Sequence, residues 1–545
     1  MRTFASLLLG SSATLAACAS GPGLPSEPPI LLVTSPARSL VQGAAGTITV
    51  AGTVTPNSYG TAIKSVAVNG AEAAVGADGA FSISVAVGEG ATLLHTVALD
   101  TDGDEADDTR SVEAGALTGP GAMVPGAVTA ALSAGAFAKV ASAAGPIIAG
   151  LDMAALLAPY QPMVHSGDED GPDCLYGQLY VDNLTMSNTV ITLVPASGGL
   201  TFSAELDNLD VPGHMSYAVA CLGGTDSTDI KATKVVIGGT LDVAPNGNGG
   251  FTTSVANPTV DITGLDISSG GVPGAILDIV PLDSVIEDIA PDVAGVVMTP
   301  VVNQALGALG GPKQLTLLGK TLTVNVSPSA IDFTTAQGLV TLDMSVAIGG
   351  ADGSHYTSIT TGTPAMNAGT GLQLGLADNL ANDLMAQGVA LGLFDLSMPS
   401  PGGSFDTTAM AMTSPPMLMG TPDGKLQLVV PDMTATFQYQ GTAVAQAAIN
   451  AQIDVDVVPT TTGNGVQIQL GTPDVSVDVL TTIPNATHYT AQDLSEAVEI
   501  TLAAQITSMS LLLGDIPLPQ IAGIQPANLS IGETDGYAMI TGNLQ

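Results

Sequence analysis

The sequence predicts an α+β fold: curved antiparallel sheets packed on long helices, preceded by a small all-β sandwich. Three observations predict it. From Ile30 to Glu113 short alternating apolar and polar runs are separated by turn residues. Further on, Leu322-Thr-Val-Asn-Val326, Ile453-Asp-Val-Asp-Val457, Val466-Gln-Ile-Gln-Leu470 and Val475-Ser-Val-Asp-Val479 alternate with a period of two. Such a period puts aliphatics on one face of a strand and polar residues on the other. Among these strands lie three stretches with apolar residues at helical spacing, 128–159, 282–309 and 376–391.

Of the 545 residues 46% are hydrophobic and only 11% charged, with 65 Gly, 35 Pro and no Trp. Such a chain has the aliphatic content for several cores and too little charge to stay disordered. The net charge of −39 excludes wholesale binding to nucleic-acid phosphates, which needs clustered Lys and Arg. It also argues against electrostatic capture of anionic lipid surfaces.

Residues 1–18 carry Arg2, a short apolar run and a small-residue end, which predicts a secretory signal too short to span a bilayer. Leu15-Ala16-Ala17-Cys18 resembles a bacterial lipobox, which implies lipidation of Cys18. With Ala19 next, the resemblance implies an outer-membrane lipoprotein facing the periplasm or the cell surface. Residues 19–29 form a Pro/Gly/Ser tether. In 30–113, Asp78-Gly79 marks a hairpin between Val75 and Phe81. The succession GTV, SVAVNG, ADGAFSISV and HTVALDTDGDEADDTRSV resembles bacterial immunoglobulin-like modules of the glucodextranase B type. Asp100, Asp102 and Asp104 offer oxygen ligands for Ca²⁺. Gly103 falls too early for an EF-hand loop, so a solvated turn is expected there instead of a metal.

A Gly/Ala/Pro linker, 114–126, precedes an Ala-rich helical stretch, Val128 to Pro159, broken at Gly145-Pro146. His165 beside Asp168, Glu169 and Asp170 has no second His nearby and fits no metal-site spacing. Cys174 and Cys221 are the cysteines left beside Cys18, and in an exported chain they most simply form one disulfide. Strands are expected at 178–184, 190–194, 200–206, 232–243 and 251–267. The second helical stretch, 282–309, has Val285, Ile289, Val293, Val297 and Val301 on one side and is bent at Pro291 and Pro300.

In the third helical stretch Leu376, Leu380, Leu384 and Leu391 share one face. Asp378 is placed to cap its start and Gly392 to end it. A Leu-small-Asp start, Leu-x-Asn in the next turn and Gly-Leu-x-Asp-Leu at the exit resemble the bactericidal/permeability-increasing protein family. That family belongs to a wider tubular lipid-binding group with lipopolysaccharide-binding and lipid-transfer proteins. The closing segment from Ile516 to Leu529 is similar to the end of such proteins. The resemblance covers about 120–545 and implies an elongated two-lobed body, with lobes at 127–312 and 313–545. It implies no enzyme and no cofactor but a carrier that binds or transfers lipids, phospholipid or lipid A acyl chains, in an apolar groove. Leu380, Leu384, Val389, Val293, Val297 and Val301 are the candidate groove residues. The chain departs from the family's cationic members, since it has only ten Lys and Arg.

No Gly-x-Ser-x-Gly elbow, His-Glu-x-x-His helix, Cys-x-x-Cys pair, Walker loop or dinucleotide fingerprint occurs. The five histidines are scattered through different segments. A surface adhesin without lipid cargo is the alternative, and three apolar-faced helices among the strands argue against it.

Overall fold

The computed structural model describes residues 27–149, 152–171, 174–273, 276, 298, 313–317, 320–349, 355–360, 362–399, 405–421, 423–460, 465–482, 493–503, 515–517, 525–534 and 536–544. The signal and Cys18, the helical stretch 282–309 apart from Met298, and with it Val293, Val297 and Val301, lie outside the described residues. The fold is mostly β, with 64% of the described residues in strands of curled sheets and 11% in helices, which corrects the α+β expectation. The physical reason is strand length. Two strands expected at 200–206 and 232–243 run from Gly199 to Val219 and from Leu222 to Pro245, 21 and 24 residues. Each extra pair adds backbone hydrogen bonds and keeps the same face apolar, so nothing in the pattern ends them early.

The chain divides into two units. The first takes in 47–85 and 94–109, together with the chain up to Ala37. Its strands pair in the order Ile30–Ser35, Gly46–Thr55, Ala80–Val87, Ala71–Val75, Ile63–Val68, Gly90–Asp100. Val50, Val54, Val66, Val68, Phe81 and Leu94 fill its interior. At the turn after Leu99, the Asp100 carboxylate accepts the backbone N–H groups of Asp102, Gly103 and Asp104, each at 2.9 Å. Asp100 is fully buried while Thr101, Asp102 and Gly103 are exposed, so the turn is solvated at its tip and locked from inside.

The second unit comprises 38–46, 86–93 and 110–545. Its centre is a seven-stranded sheet in the order Lys313–Leu317, Lys320–Phe333, Gln337–Ile348, Val124–Ser133, Leu372–Ala377, Tyr537–Leu544, Pro526–Thr534. The order is palindromic about its middle. Val124–Ser133 and Leu372–Ala377 pair antiparallel from Val128↔Leu376 to Leu132↔Leu372. Each has a returning hairpin on its outer side, 320–348 for one and 526–544 for the other. Each also runs straight into a helix, α1 (Ala134–Ala149) for the first. A short helix, α2 (Met153–Leu157), follows, and α3 (Asp378–Ala390) continues the other central strand. Antiparallel strands send these two long helices out at opposite ends of the sheet.

A flanking sheet follows each helix. After α1 come Val164–Asp168, Leu175–Val181, Gly199–Val219, Leu222–Pro245 and Phe251–Thr263 in that order. After α3 come Leu396–Pro399, Thr407–Ala411, Leu426–Tyr439, Thr442–Pro459, Gly465–Leu470 and Asp515–Pro517. The expected helix over 128–159 is corrected here: Val128–Ser133 is a central strand, paired on both sides. Its β-branched Val128 and Thr129 suit that pleated position. Helix α1 then passes through Gly145-Pro146 without breaking.

Candidate functional site

The deepest apolar region joins the first flanking sheet, α1 and the central sheet. Phe202, Met215, Leu241 and Phe251 from the flanking sheet are fully buried with Leu132, Leu342 and Leu372 from the centre. On the helix side Ala136, Phe137, Val140, Ala141, Ala144 and Ile148 face inward, so small residues alternate with larger ones. A strand of 21 residues spans roughly 70 Å, whereas a 16-residue helix spans about 24 Å. Helix α1 is thus shorter than the hairpin, whose Leu209, Val211, Met215, Ile230, Ala232 and Val235 are buried in one core with Ile276 and Met298. Around that core Leu206, Tyr217, Val219, Val243, Val255, Val260 and Ile262 of the same sheet are half-buried.

Where the hairpin turns, Ala220 and Cys221 take positive φ, 49° and 62°, and Leu222 is 78% exposed. Cys221 forms a disulfide with Cys174, as the two-cysteine count led one to expect. The bond ties the hairpin tip to the start of the neighbouring strand Leu175–Val181, whose pairing begins at Tyr176↔Ala218.

Helix α3 reverses the expected orientation. Its buried residues are Asp378, Asn379, Asn382, Asp383, Ala386, Gln387 and Gly388, while Leu380, Leu384 and Val389 are half-buried. Leu380 and Leu384 pack on the edge of the large apolar core. The polar face is deeper because its amides finish three strand edges. Asn379 accepts the Ile359 N–H at 3.0 Å and donates to the Ile359 carbonyl at 2.8 Å. Asn382 does the same with Leu418, at 2.7 and 3.1 Å. Gln387 accepts from the Ile348 N–H at 2.7 Å and donates to the Val346 carbonyl and to Asp383, both at 2.9 Å. Strand 337–348 loses its neighbour 124–133 beyond Met344, and Gln387 supplies the missing partners there. Buried backbone groups must be paired, and side-chain amides carry the same donor and acceptor as a peptide.

Asp378 does not cap the helix. Ala377 is the N-cap and no side chain bonds there, while Gly392 ends the helix with φ 66° as expected. Asp378 is 2% exposed, and among the described residues neither of its carboxylate oxygens has a hydrogen-bond partner. Burial, and then the charge of Glu533, pushes its pKa up to about 7. Asp383 is pushed to about 6 by burial, against the pull of the Gln387 amide and the Gly121 N–H. Tyr356 rises to about 12 through burial and the charge of Asp383, with Thr118 opposing. Tyr356 and Asn379 also line a cleft of about 430 Å³ with Glu89, Met123, Ser358 and Thr360.

A second buried polar cluster lies on the other flanking sheet, at a bulge where Asp432 has φ 38°. Its carboxylate accepts from Arg38 Nη1 at 3.1 Å, the Ser39 N–H at 2.6 Å, the Ser111 hydroxyl at 2.8 Å and Asn450 Nδ2 at 3.1 Å. Arg38 also reaches Asp478 at 3.1 Å. All these residues belong to the second unit.

Among the described residues no group of three or more His, Cys, Asp or Glu is arranged to hold a metal ion, Asp100, Asp102 and Asp104 included. No described helix is long and apolar enough to cross a membrane.

Residues 29–115 match the family described as glucodextranase, domain B, in the region where the sequence resembles such a module. Among solved structures the chain is similar to a lipopolysaccharide binding protein, at 15% identity and a TM-score of 0.37, over 78% of this chain and 99% of that one. It is also similar to P47 of Clostridium botulinum E1, at 9% identity and a TM-score of 0.27, over 78% of this chain and 100% of that one. No curated protein matches the chain.

Proposed function

We propose that the chain binds or transfers lipids, accepting acyl chains of phospholipid or lipid A against the aliphatic face of its long-stranded sheet. One observation carries the reading: half-buried aliphatics, Leu206, Val219, Val243, Val255, Val260 and Ile262, border the buried core of the sheet built on the 199–245 hairpin. Burying such surface against an acyl chain is favourable by about 25 cal/mol per Å² and needs no positive charge, which suits a chain of net charge −39. The likeness of 376–396 to the bactericidal/permeability-increasing family supports the same reading. Helix residues Leu380, Leu384 and Val389, with Val293, Val297 and Val301, are the proposed groove lining. In this reading 30–113 is a spacer module, 127–312 and 313–545 are the two lobes, and lipid on Cys18 anchors the chain to an outer membrane.

The test is mass spectrometry of lipids extracted from a soluble form lacking residues 1–26, purified without detergent. Phospholipid or lipid A in stoichiometric amount would support carriage and name the cargo. A folded, empty protein that takes up no fluorescent phospholipid would overturn it and put surface interaction first. Labelling cells with an alkyne fatty acid tests the anchor separately, since Cys18→Ala should abolish the label.

A further inference from the structure

The seat of α3 combines two features that rarely coexist. Three amides bind it to strand backbones, yet the same face buries two carboxyl groups that have no ion pair among the described residues. The surroundings of those acids can be read element by element. From the strand Pro526–Thr534 comes Glu533, which stands directly over Gly420 of the edge strand Met417–Gly420. From Tyr356–Ser358 comes the Tyr356 phenol, and from Gln337–Ile348 the only ionisable side chain is Asp343. The strands Met417–Gly420, Val124–Ser133 and Leu372–Ala377 bring no ionisable side chain at all. Near the start of the last strand Tyr537 donates to the Gly126 carbonyl. Among the described residues these strands carry only acidic or phenolic ionisable side chains; exposed His355 precedes Tyr356, and exposed Lys425, beyond Gly420, pairs with Asp423. Ionising Asp378 leaves a buried charge with no hydrogen-bond partner, which is costly, whereas the Gln387 amide and the Gly121 N–H offset part of the same cost at Asp383.

We propose that α3 is a proton-dependent latch: Asp378 and Asp383 hold it on its three strand edges while protonated, and their ionisation loosens it. The latch stands on the packing alone and does not rest on the lipid reading. The direction follows from proton linkage. The folded state holds the Asp378 proton up to about pH 7, whereas the group ordinarily releases it at 3.8. Between those limits the seated form binds more protons, so its advantage is complete at low pH and is lost as pH rises toward 7. Asp383 adds a second proton with a window that closes near 6. Above these values the loss is complete and the dependence levels off. Loosening would uncover Leu380 and Leu384 from the edge of the large core, together with the backbone groups of Ile348, Ile359 and Leu418.

Amide hydrogen exchange of the full disulfide-bonded chain, followed by mass spectrometry from about pH 4 to 8 and corrected for intrinsic exchange, tests this. Peptides from α3 should show an opening constant that rises by up to about tenfold per pH unit for each acid. Peptides from the strand Val124–Ser133 serve as the internal reference. Asp378→Asn should remove one proton's worth of that slope, and the double variant with Asp383→Asn should be flat. A pH-independent opening of α3 in the wild type overturns the latch, and so does a double variant that keeps the wild-type slope. Should the asparagine variants not fold, Glu533→Gln decides. Removing that facing charge should lower the pH at which the opening of α3 levels off and reduce the opening reached there, a shift that a purely structural role would not produce.

Discussion

Gln387 makes three hydrogen bonds from a single amide, and two of them complete a strand whose neighbour has ended. Truncation to Ala would leave the Ile348 N–H and the Val346 carbonyl buried without their partner. Such orphaned groups cost roughly 1–3 kcal/mol, so Gln387→Ala should lower stability by about 2–3 kcal/mol in urea unfolding. An effect near zero would mean that water reaches this seat. The Asp432 cluster gives a second residue-scale prediction. Arg38→Met leaves Asp432 and Asp478 buried beside each other without the guanidinium, and broken buried pairs cost about 3–5 kcal/mol. The donors Ser39, Ser111 and Asn450 still serve Asp432, which places the expected loss at about 3 kcal/mol by the same melts. These partners show what the sequence could and could not reveal. The polar stripe Asp378, Asn379, Asn382, Asp383, Gln387 has the same helical spacing as the leucines and was open to reading. Leucine spacing alone suggested the wrong buried face, because an apolar stripe and a polar stripe of equal period do not say which one meets the strand edges. The Asp432 cluster joins residues hundreds of positions apart, and no local pattern announces it.

At the scale of elements, alternation located strands such as 322–326, 453–457, 466–470 and 475–479 but not their length, and it did not announce Gln337–Ile348 or Leu426–Tyr439. A period-two pattern says which face is apolar, whereas the end of a strand depends on how far its partner continues, as in the long hairpin 199–245. Likewise 128–133 read as helix from its aliphatics and became a strand because it is the one segment paired with both 337–344 and 372–376. The disulfide was legible from two cysteines and the expected export signal, and it closes 48 residues (221 − 174 + 1) up to the tip of that hairpin. Cross-linking a loop of this size restricts the unfolded chain and contributes roughly 2–4 kcal/mol. Reduction, or Cys174→Ser with Cys221→Ser, should therefore lower the denaturant midpoint by that amount. Far-UV circular dichroism before the transition should hardly change, because the strand pairing from Tyr176↔Ala218 onward supplies its own hydrogen bonds. A loss of strand signal without denaturant would instead make the disulfide a condition of folding the hairpin.

The whole second unit is closed by strands far apart in sequence. Its central sheet places Tyr537–Leu544 against Leu372–Ala377 on one side and Pro526–Thr534 on the other, so residues 526–544 complete a layer that includes Val124–Ser133. That layer cannot form until those residues are available, and contacts so distant close slowly. The strand also buries Tyr537, Met539, Ile540 and Leu544, each 6% exposed or less. Ending the chain at Gly536 would uncover this surface and leave Leu372–Ala377, the strand that leads into α3, as a bare edge, a known route to association. We expect such a truncation to aggregate on size-exclusion chromatography, and limited proteolysis to cut within 372–399 before it cuts the hairpin 199–245. The order of cleavage is the informative part. The hairpin draws its pairing from within its own half, from strands Leu175–Val181 and Phe251–Thr263, whereas α3 depends on a layer assembled from both halves. A truncated chain that stayed monodisperse with an unchanged unfolding midpoint would show that the two halves close independently, and the central sheet would then be a junction rather than the common core.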